Sequence, residues 1–203
     1  MFGGIVETIG TITHLTINDG CKSFVISPQI NLDDLSIGDS IAVNGVCLTV
    51  TEFSDQSFNV TAVPETLRLT NLDQLSVSDP VNLERSMKLT SRIGGHYVQG
   101  HVDGMGKILD IKNDNSSALL VKISIPPRFS KYLINKGYIA IDGMSITIID
   151  ATSDWFTVTF IPHTQAVTTV NRYQIGAIVN LEIDMMSKHI EKLLGAYSHA
   201  NTN

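Results

Sequence analysis

The sequence predicts an all-β fold of two tandem six-stranded antiparallel barrels of the Greek-key type, followed by a C-terminal α-helix. Three observations support this prediction. Blocks of the 203-residue chain recur in order, most of the chain reads as short β-branched runs between turn residues, and only the last segment changes to helical spacing. Two similar folds in one chain should offer two similar ligand pockets.

The duplication is visible in four blocks of sequence. The block at 4–12 returns at 100–108, a shift of 96 (100 − 4), and the block at 41–50 returns at 139–148, a shift of 98 (139 − 41). Two shorter blocks are shifted by 98 as well. This period is far longer than that of a solenoid repeat and indicates a duplicated domain. We expect a first barrel with the inter-repeat segment at 1–96, a second barrel at 97–186, and a C-terminal oligomerisation helix and tail at 187–203.

The strands follow from runs of β-branched and aromatic residues that end at turn signals. Asn44-Gly45 in the first copy and Asp142-Gly143 in the second mark matching turns. About six strands per copy favour a compact closed barrel. Predicted strands of the first copy include 23–27, 40–51, 58–63 and 80–84, and short helices are predicted at 31–36 and 127–135.

Alternation along the strand after Asn44-Gly45 assigns its two faces. Val46, Leu48 and Val50 point inward, which turns Cys47, Thr49 and Thr51 outward. The second copy repeats the pattern, with Met144, Ile146 and Ile148 inward and Ser145 and Thr147 outward. Small polar residues at matched outward positions predict a ligand site on the outer flank of each barrel. Two barrels that face each other would enclose two ligands.

The last segment changes from strand to helical spacing. Its apolar residues Ile190, Leu193, Leu194 and Tyr197 share one face, with Lys188, Glu191 and Lys192 elsewhere. Because the barrel before this helix is already closed, the apolar stripe is free to form an oligomer contact.

Composition narrows the class of partner and the compartment. A net charge of −6 and a pI near 5.4 argue against a nucleic-acid surface. The two cysteines form no CxxC pair, so neither a disulfide framework nor a zinc cluster is encoded. Neither a signal peptide nor a membrane-length apolar run is present, so we expect a cytoplasmic protein without a membrane partner.

Several ordered motifs resemble one family. The start Met1-Phe2-Gly3-Gly4-Ile5-Val6-Glu7 and the segments 43–51, 65–67, 93–104, 136–143 and 161–164 are similar to the riboflavin synthase family, whose members are trimers with two lumazine-binding barrels per chain. The likeness covers residues 1–186. Two departures stand out: Gly3 replaces the usual Thr or Ser, and Ser78-Asp79-Pro80 replaces the usual Gly-Asp turn.

The resemblance implies a dismutation of two molecules of 6,7-dimethyl-8-ribityllumazine, in which one donates a four-carbon unit to the other. The products are riboflavin and 5-amino-6-(D-ribitylamino)uracil. No metal or other cofactor is implied, because one substrate is the reaction partner of the other. A non-catalytic lumazine or flavin carrier, like the light-emitting antenna proteins similar to this family, is the alternative.

The two substrates take different roles, so residues that differ between the copies are catalytic candidates. Ser40 matches Tyr138 and Cys47 matches Ser145 at the shift of 98, while His101 matches Ile5 and Phe2 matches Val98 at 96. The resemblance implies catalytic roles for Phe2, Ser40, Cys47, His96, His101 and Asp184. It also implies lumazine contacts, many through the backbone, from Gly4, Ile5, Val6, Cys47, Leu48, Thr49, Thr61, Ala62, Val63, Pro64, Glu65, Thr66, Gly100, His101, Val102, Lys136, Ser145, Ile146, Thr147, Ile161, Pro162, His163, Thr164, Gln165 and Ala166.

Each candidate also has a structural interpretation. His96 and His101 could be ordinary polar residues at a domain junction, and their spacing of five disfavours a joint metal site. Cys47 could be a small buried residue. Asp184 and Lys136 could be solvated charges. The sequence leaves open which group is the base and which the nucleophile, and water could be the nucleophile. Because the connection at 92–95 is short, we expect the working site to lie between chains.

Overall fold

The computed structural model describes residues 1–114 and 117–200, except for the side chains of 195–200. Two closed six-stranded antiparallel barrels and a C-terminal helix make up this part of the chain, as predicted. The first barrel has the strand order β1-β2-β5-β4-β3-β6. Its strands are β1 (Thr8–Asn18), β2 (Cys21–Pro28), β3 (Ser40–Val43), β4 (Val46–Phe53), β5 (Phe58–Ala62) and β6 (Pro80–Arg85), with helix α1 (Pro64–Leu69) and a 3₁₀ turn (Asn71–Gln74) between the last two.

The second barrel repeats these elements in the same succession. Its strand order around the barrel is β10-β11-β8-β7-β12-β9. The strands are β7 (Gly104–Asn113), β8 (Leu119–Ser124), β9 (Tyr138–Ile141), β10 (Met144–Ala151), β11 (Trp155–Phe160) and β12 (Ile178–Ile183). The helices are α2 (Pro127–Ser130), α3 (Pro162–Val167), a 3₁₀ turn (Thr169–Arg172) and the C-terminal α4 (Met185–Ala200).

The duplication extends to irregularities in the strands. The register of β1 against β2 shifts between Ile12 and His14, and that of β7 against β8 shifts between Ile108 and Asp110. These positions differ by 96 (108 − 12), the shift of the surrounding sequence block. Such bulges bend a strand and re-aim its side chains. The two copies therefore share local curvature as well as strand order.

The predicted faces of β4 and β10 are confirmed. Val46, Leu48 and Val50 are buried in the apolar core of the first barrel, whereas Cys47 is half-buried and Thr49 is exposed. In the second barrel Met144 and Ile148 are buried and Ile146 packs against the same core. Ser145 and Thr147 point outward. The small polar positions thus lie on the outer flank of each barrel.

The predicted short helices are less accurate than the strands. Residues 31–36 form no helix: Leu32 and Leu35 are buried at a spacing of three, and a single turn bond from the Leu35 N–H to the Leu32 carbonyl at 2.9 Å produces that spacing. The helix predicted at 127–135 covers only Pro127–Ser130 and continues as turns. Sequence reasoning also took Pro64 and Pro162 only as strand ends, whereas each opens a six-residue helix at its first turn.

Buried amide side chains join the two barrels across a pseudo-twofold seam. The Asn82 side chain donates to the Asp142 carbonyl at 2.9 Å, and the Asn180 side chain donates to the Asn44 carbonyl at 2.8 Å. In the first barrel the Asn82 backbone N–H donates to the Asn44 side chain at 2.8 Å. In the second barrel the Asn180 backbone N–H donates to the Asp142 side chain at 2.8 Å. Because these groups are buried and paired, the seam fixes one barrel against the other.

One position of the seam carries a charge in the second copy only. Asp142 accepts hydrogen bonds from the Asn71 side chain at 3.1 Å and the Tyr173 hydroxyl at 2.7 Å. Burial raises the pKa of Asp142 from 3.8 to about 6, although its backbone and side-chain donors act in the other direction. Asn44 occupies the matching place in the first copy.

Candidate active site

Two segments that precede the barrels are exchanged between the copies. We call residues 1–7 the first lead segment and residues 96–103 the second lead segment, because they run into β1 and β7. They meet in a two-sided bridge, in which the Phe2 N–H donates to the Val98 carbonyl at 2.8 Å and the Val98 N–H donates back at 3.1 Å. Phe2 and Val98 pack with Ala42 and Ala140 in a small apolar cluster between the barrels.

Beyond this bridge each lead segment contacts the opposite barrel. The Ser145 N–H of the second barrel donates to the Gly4 carbonyl at 2.8 Å. The Cys47 N–H of the first barrel donates to the Gly100 carbonyl at 2.9 Å. Each outward polar position is therefore flanked by the lead segment of the other copy.

Both contacts require glycine. Gly4 has a φ of +70°, and a Cβ there would lie 2.5 Å from the Cβ of Ser145. Gly100 has a φ of +79°, and a Cβ there would lie 2.6 Å from the Cβ of Cys47. Neither the backbone conformation nor the space suits a side chain. The departure at Gly3 is of another kind, because a Cβ there would make ordinary contacts at 3.5 Å or more, and Thr or Ser would fit.

The predicted contacts of the second barrel largely come together. A cavity of about 140 Å³ on its flank is lined by parts of the first lead segment, β10 and α3, including Gly4, Ile5, Val6, Ser145, Ile146, His163 and Thr164. The other candidates of this copy are not among its lining residues. Ile161, Pro162, Ala166, Thr147 and Lys136 are exposed, and Gln165 donates to the Phe160 carbonyl at 2.8 Å.

The predicted contacts of the first barrel are arranged in the same way, around Cys47. Gly100 covers Cys47, Val102 packs on the barrel core, and His101 between them is exposed. Leu48 and Ala62 are buried in that core, so they can offer a ligand only backbone groups. Of the remaining candidates, Thr61 shares a hydrogen bond with Ser23 at 2.8 Å, Glu65 pairs with Arg68 at 2.6 Å, the Thr66 carbonyl accepts from Thr70 at 2.7 Å, and Val63 and Pro64 are exposed.

Ser40 lies on the same outer face of the first barrel. It is directly opposite Thr49 in the β3–β4 ladder, and directly opposite residues share a face. The half-buried Ser40 also borders a polar cavity of about 140 Å³, with Asp39 and Arg85 among its other lining residues. Ser40 and Thr49 therefore give the first barrel a hydroxyl pair that Tyr138 and Thr147 replace in the second.

His96 is placed at the second barrel. Its Nδ1 lies 2.6 Å from the Ser145 hydroxyl oxygen, and its ring stacks on Tyr138 with 5.2 Å between ring centroids and an interplanar angle of 10°. Burial lowers the pKa of His96, while the negative charge of Asp184 acts against this shift. Burial thus favours the neutral form of the His96 imidazole, which lies against the Ser145 hydroxyl. His101 and His96 lie at the sites of different barrels.

Asp184 has a structural role as well as an electrostatic one. Its Oδ1 accepts from the Met186 N–H at 3.0 Å, which caps the N-terminus of α4. Phe2 is fully buried in the cluster between the barrels, so its ring offers no free surface.

Sequence reasoning missed two residues that shape these sites, Glu84 and Glu182. Both are buried carboxylates that accept hydrogen bonds from the lead segments. The repeated Val-Asn-Leu-Glu block contained the signal, since an acidic residue at the same place in two barrel strands is unusual.

Neither a metal site nor a membrane span stands out in the described part of the chain. Among the described side chains, those of residues 1–114 and 117–194, no three His, Cys, Asp or Glu residues gather in a way that could hold a metal ion. Among the helices of the same residues, none is long and apolar enough to cross a membrane.

The comparisons with known proteins agree with this geometry. Residues 3–86 and 99–184 each match the family model of the lumazine binding domain. The chain is 44% identical to the riboflavin synthase of Schizosaccharomyces pombe, over 97% of this chain and 95% of that protein. This chain belongs to the riboflavin synthase family. The matched ranges include β4, β10 and most of both lead segments.

Solved structures of LumP are also similar. The complex of LumP with riboflavin has a TM-score of 0.83 at 26% identity, covering 90% of this chain and 99% of LumP. The complex with 6,7-dimethyl-8-(1'-D-ribityl) lumazine has a TM-score of 0.81 over the same shares. The likeness to riboflavin synthases in sequence is higher than the likeness to LumP, which makes the carrier alternative the less supported one.

Proposed function

We propose that this chain is a riboflavin synthase, a transferase that converts two molecules of 6,7-dimethyl-8-ribityllumazine into riboflavin and 5-amino-6-(D-ribitylamino)uracil. One observation carries the proposal. The chain holds two sites of the same architecture whose side chains differ, with Cys47, His101 and Ser40 at the first barrel and Ser145, His96 and Tyr138 at the second. A dismutation needs two like cradles that treat their ligands differently.

The chemistry requires proton transfer and close approach of two rings. A proton leaves the acidic 7-methyl group of one lumazine, a nucleophile adds to the other, and a four-carbon unit moves between them. The two substrates contain all the atoms of the two products, so the balance needs neither an oxidant nor a cofactor. Holding both rings in one geometry lowers the entropic cost of their reaction.

The proposed catalytic set is that implied by the family, with its roles divided between the sites. His101 and Ser40 act at the first barrel, where their groups are exposed or half-buried beside Cys47 and Thr49. His96 orients the Ser145 hydroxyl at the second barrel. The negative charge of Asp184 raises the pKa of His96 and so opposes the effect of burial. Histidine at this kind of position suits general acid–base catalysis. Phe2 contributes by holding the two lead segments together.

The ring edges of the lumazines would be recognised mainly through hydrogen bonds with backbone groups. At the first barrel, N–H and C=O groups are presented by β4, the second lead segment and the first turn of α1. At the second barrel, they are presented by β10, the first lead segment and the first turn of α3. Lys136, with an exposed side chain next to β10, would contact the second ligand from outside the strand. These contacts follow the family pattern. Support comes from the cavity at the second barrel, which is lined by the first lead segment, β10 and α3.

We also propose a cytoplasmic homotrimer in which residues 1–96 and 97–186 each bind one lumazine and 187–203 join the chains. The working site then lies between the first barrel of one subunit and the second barrel of a neighbour. Support comes from α4, on which Ile190, Leu193 and Leu194 are more than half exposed. These residues and Ile134 leave an apolar surface that a neighbouring chain would cover. The Tyr197 side chain of the predicted stripe lies outside the described residues.

Incubation of the pure protein with 6,7-dimethyl-8-ribityllumazine alone tests the function. Riboflavin and the pyrimidine should appear in equal amounts, one of each for every two lumazines consumed, without added metal or nucleotide. Chromatography with mass detection quantifies all three compounds. Tight binding of lumazine without riboflavin over hours would establish the carrier function instead.

A further inference from the structure

Two buried carboxylates hold the lead segments, one in each copy. At the end of β6, Glu84 Oε1 accepts a hydrogen bond from the Gly3 N–H at 2.7 Å. At the matching place in β12, 98 residues later (182 − 84), Glu182 accepts from the Gln99 N–H at 2.7 Å and from the Gly100 N–H at 2.9 Å. Hydrogen bonds to an ionised acceptor are stronger than those between neutral groups.

Within the part of the chain that the structure describes, neither carboxylate forms an ion pair. Arg85, next to Glu84 in the strand, pairs with Glu7 and Asp34 instead. Lys188, the charged neighbour of Glu182, pairs with Asp103 at 3.0 Å. Burial raises the pKa of both glutamates, that of Glu84 to about 7. Keeping an acidic group buried at two equivalent positions is costly, and the hydrogen bonds that these two groups accept come from lead-segment N–H groups.

The segment that each carboxylate holds completes the site of the other barrel. Glu84 belongs to the first barrel and binds Gly3, and the next residue, Gly4, contacts Ser145 of the second barrel. Glu182 belongs to the second barrel and binds Gly100, which contacts Cys47 of the first barrel. The cavity on the second barrel is partly walled by the segment that Glu84 binds.

We propose that Glu84 and Glu182 are positioning residues that act crosswise, Glu84 on the ligand site of the second barrel and Glu182 on that of the first. The assignment of these places as ligand sites rests on the proposed function. The crosswise mechanical coupling does not, because it is defined by hydrogen bonds within the chain.

Two backbone amides report on the two sites separately. The Ser145 N–H donates to the first lead segment and the Cys47 N–H donates to the second. Hydrogen exchange of both amides, followed by NMR on the full-length oligomer, therefore measures how firmly each segment is held. Glu84→Ala should accelerate exchange at Ser145 by about tenfold or more and leave Cys47 unchanged, whereas Glu182→Ala should do the reverse.

Conservative variants separate positioning from general weakening of the fold. Glu84→Gln keeps one acceptor oxygen for the Gly3 N–H. Its NH₂ group can take the place of Glu84 Oε2, which has no hydrogen-bond partner within the described residues. Exchange at Ser145 should therefore return towards that of the parent protein. Glu182→Gln replaces one of two occupied acceptors and should still accelerate exchange at Cys47 alone. Glu52→Gln, an exposed change on β4, should move neither amide.

Acceleration of both amides by each variant, or of the amide on the substituted barrel alone, would overturn the crosswise arrangement. If Glu84→Ala does not fold, Glu182→Gln provides the test. Faster exchange at Cys47 alone supports the crosswise arrangement, and faster exchange at Ser145 contradicts it. Exchange is measured without substrate, so a protein that makes no riboflavin still gives a result.

Discussion

The Nδ1 of His96 lies 2.6 Å from the hydroxyl oxygen of Ser145, so the second lead segment contacts the outward residue of the second barrel as well as that of the first. Cys47, which matches Ser145, is covered by Gly100 of the same segment, and the Cys47 N–H donates to the Gly100 carbonyl at 2.9 Å. One segment therefore serves both sites, but it presents a glycine to the thiol of the first barrel and an imidazole to the hydroxyl of the second.

His96→Gln and Ser145→Ala should each lower turnover by about tenfold, the effect of losing one hydrogen bond at a reacting site. Because the two groups act as a pair, the double variant should lose little more than the worse single variant. Initial rates with saturating lumazine measure the effect, and His189→Gln on the exposed side of α4 is the control. Multiplicative losses would show that His96 and Ser145 act independently.

His101→Gln and Ser40→Ala should lower turnover by about 10²-fold while changing lumazine affinity little, since acid–base groups act mainly in the transition state. Both occupy places that the other copy fills with unlike residues, since Ile5 matches His101 and Tyr138 matches Ser40. Equilibrium binding by ligand fluorescence is compared with steady-state rates, and His14→Gln, an exposed histidine on β1, is the matched control. Parallel losses in affinity and rate would identify simple binding residues.

Truncation after Asp184 should reduce both trimer content and activity but leave each barrel able to bind one lumazine, because the strands of both sites end before the cut. The cut removes Ile190, Leu193 and Leu194. Light scattering gives the mass in solution alongside the assay, and removal of 201–203 alone is the control. A truncated monomer with full activity would rule out a site between subunits.

Ser78→Gly should stabilise the protein by about 1 kcal/mol, because Ser78 has a φ of +77°, in the left-handed region that disfavours a side chain. Gly176 occupies the same place in the second copy, 98 residues later (176 − 78), with a φ of +95°. Gly176→Ser is therefore the reciprocal variant and should destabilise by a similar amount. Urea midpoints measure both changes. Destabilisation by Ser78→Gly would mean that the Ser78 side chain makes compensating contacts.

Asp142→Asn should remove a pH dependence of stability. The pKa of Asp142 is about 6 in the folded state against 3.8 for the ordinary side chain, so the folded protein takes up this proton more readily than the unfolded chain. Stability from this group is present below pH 3.8 and is lost as pH rises through about 6, by up to about 3 kcal/mol. Urea unfolding of the parent and the variant from pH 4 to 8 gives the difference, which should favour the variant as pH rises. Asn44 shows that an amide fits the equivalent position. A difference that is constant with pH would contradict the assignment.

The sequence predicts well whatever depends on local alternation. Val46 and Leu48 alternate with Cys47 along one strand, and that period alone places the core and the outer flank of each barrel. The exchange of lead segments could not be predicted, since it depends on contacts such as Gly4 with Ser145, which are far apart in the chain. The repeated Val-Asn-Leu-Glu block marks Glu84, but its role could not be predicted, because its partner is a backbone N–H from a distant segment.

The predicted helix at 31–36 shows the limit of periodicity in short segments. Leu32 and Leu35 have the spacing of a helix, yet one turn is enough to bury both side chains. Six residues contain too few repeats to distinguish the two structures.

The exchange of lead segments also bears on how such a chain can vary. A single repeat would carry a lead segment with no second barrel to cover, and it could complete a site only by pairing with another copy of itself. In such a pair every substitution would occur twice, and the two sites would stay identical. Fusion into one chain replaces that association by an intramolecular one with a high effective concentration. It also lets the halves accumulate different residues, which is the condition under which one place can hold a thiol, Cys47, and its twin a hydroxyl, Ser145.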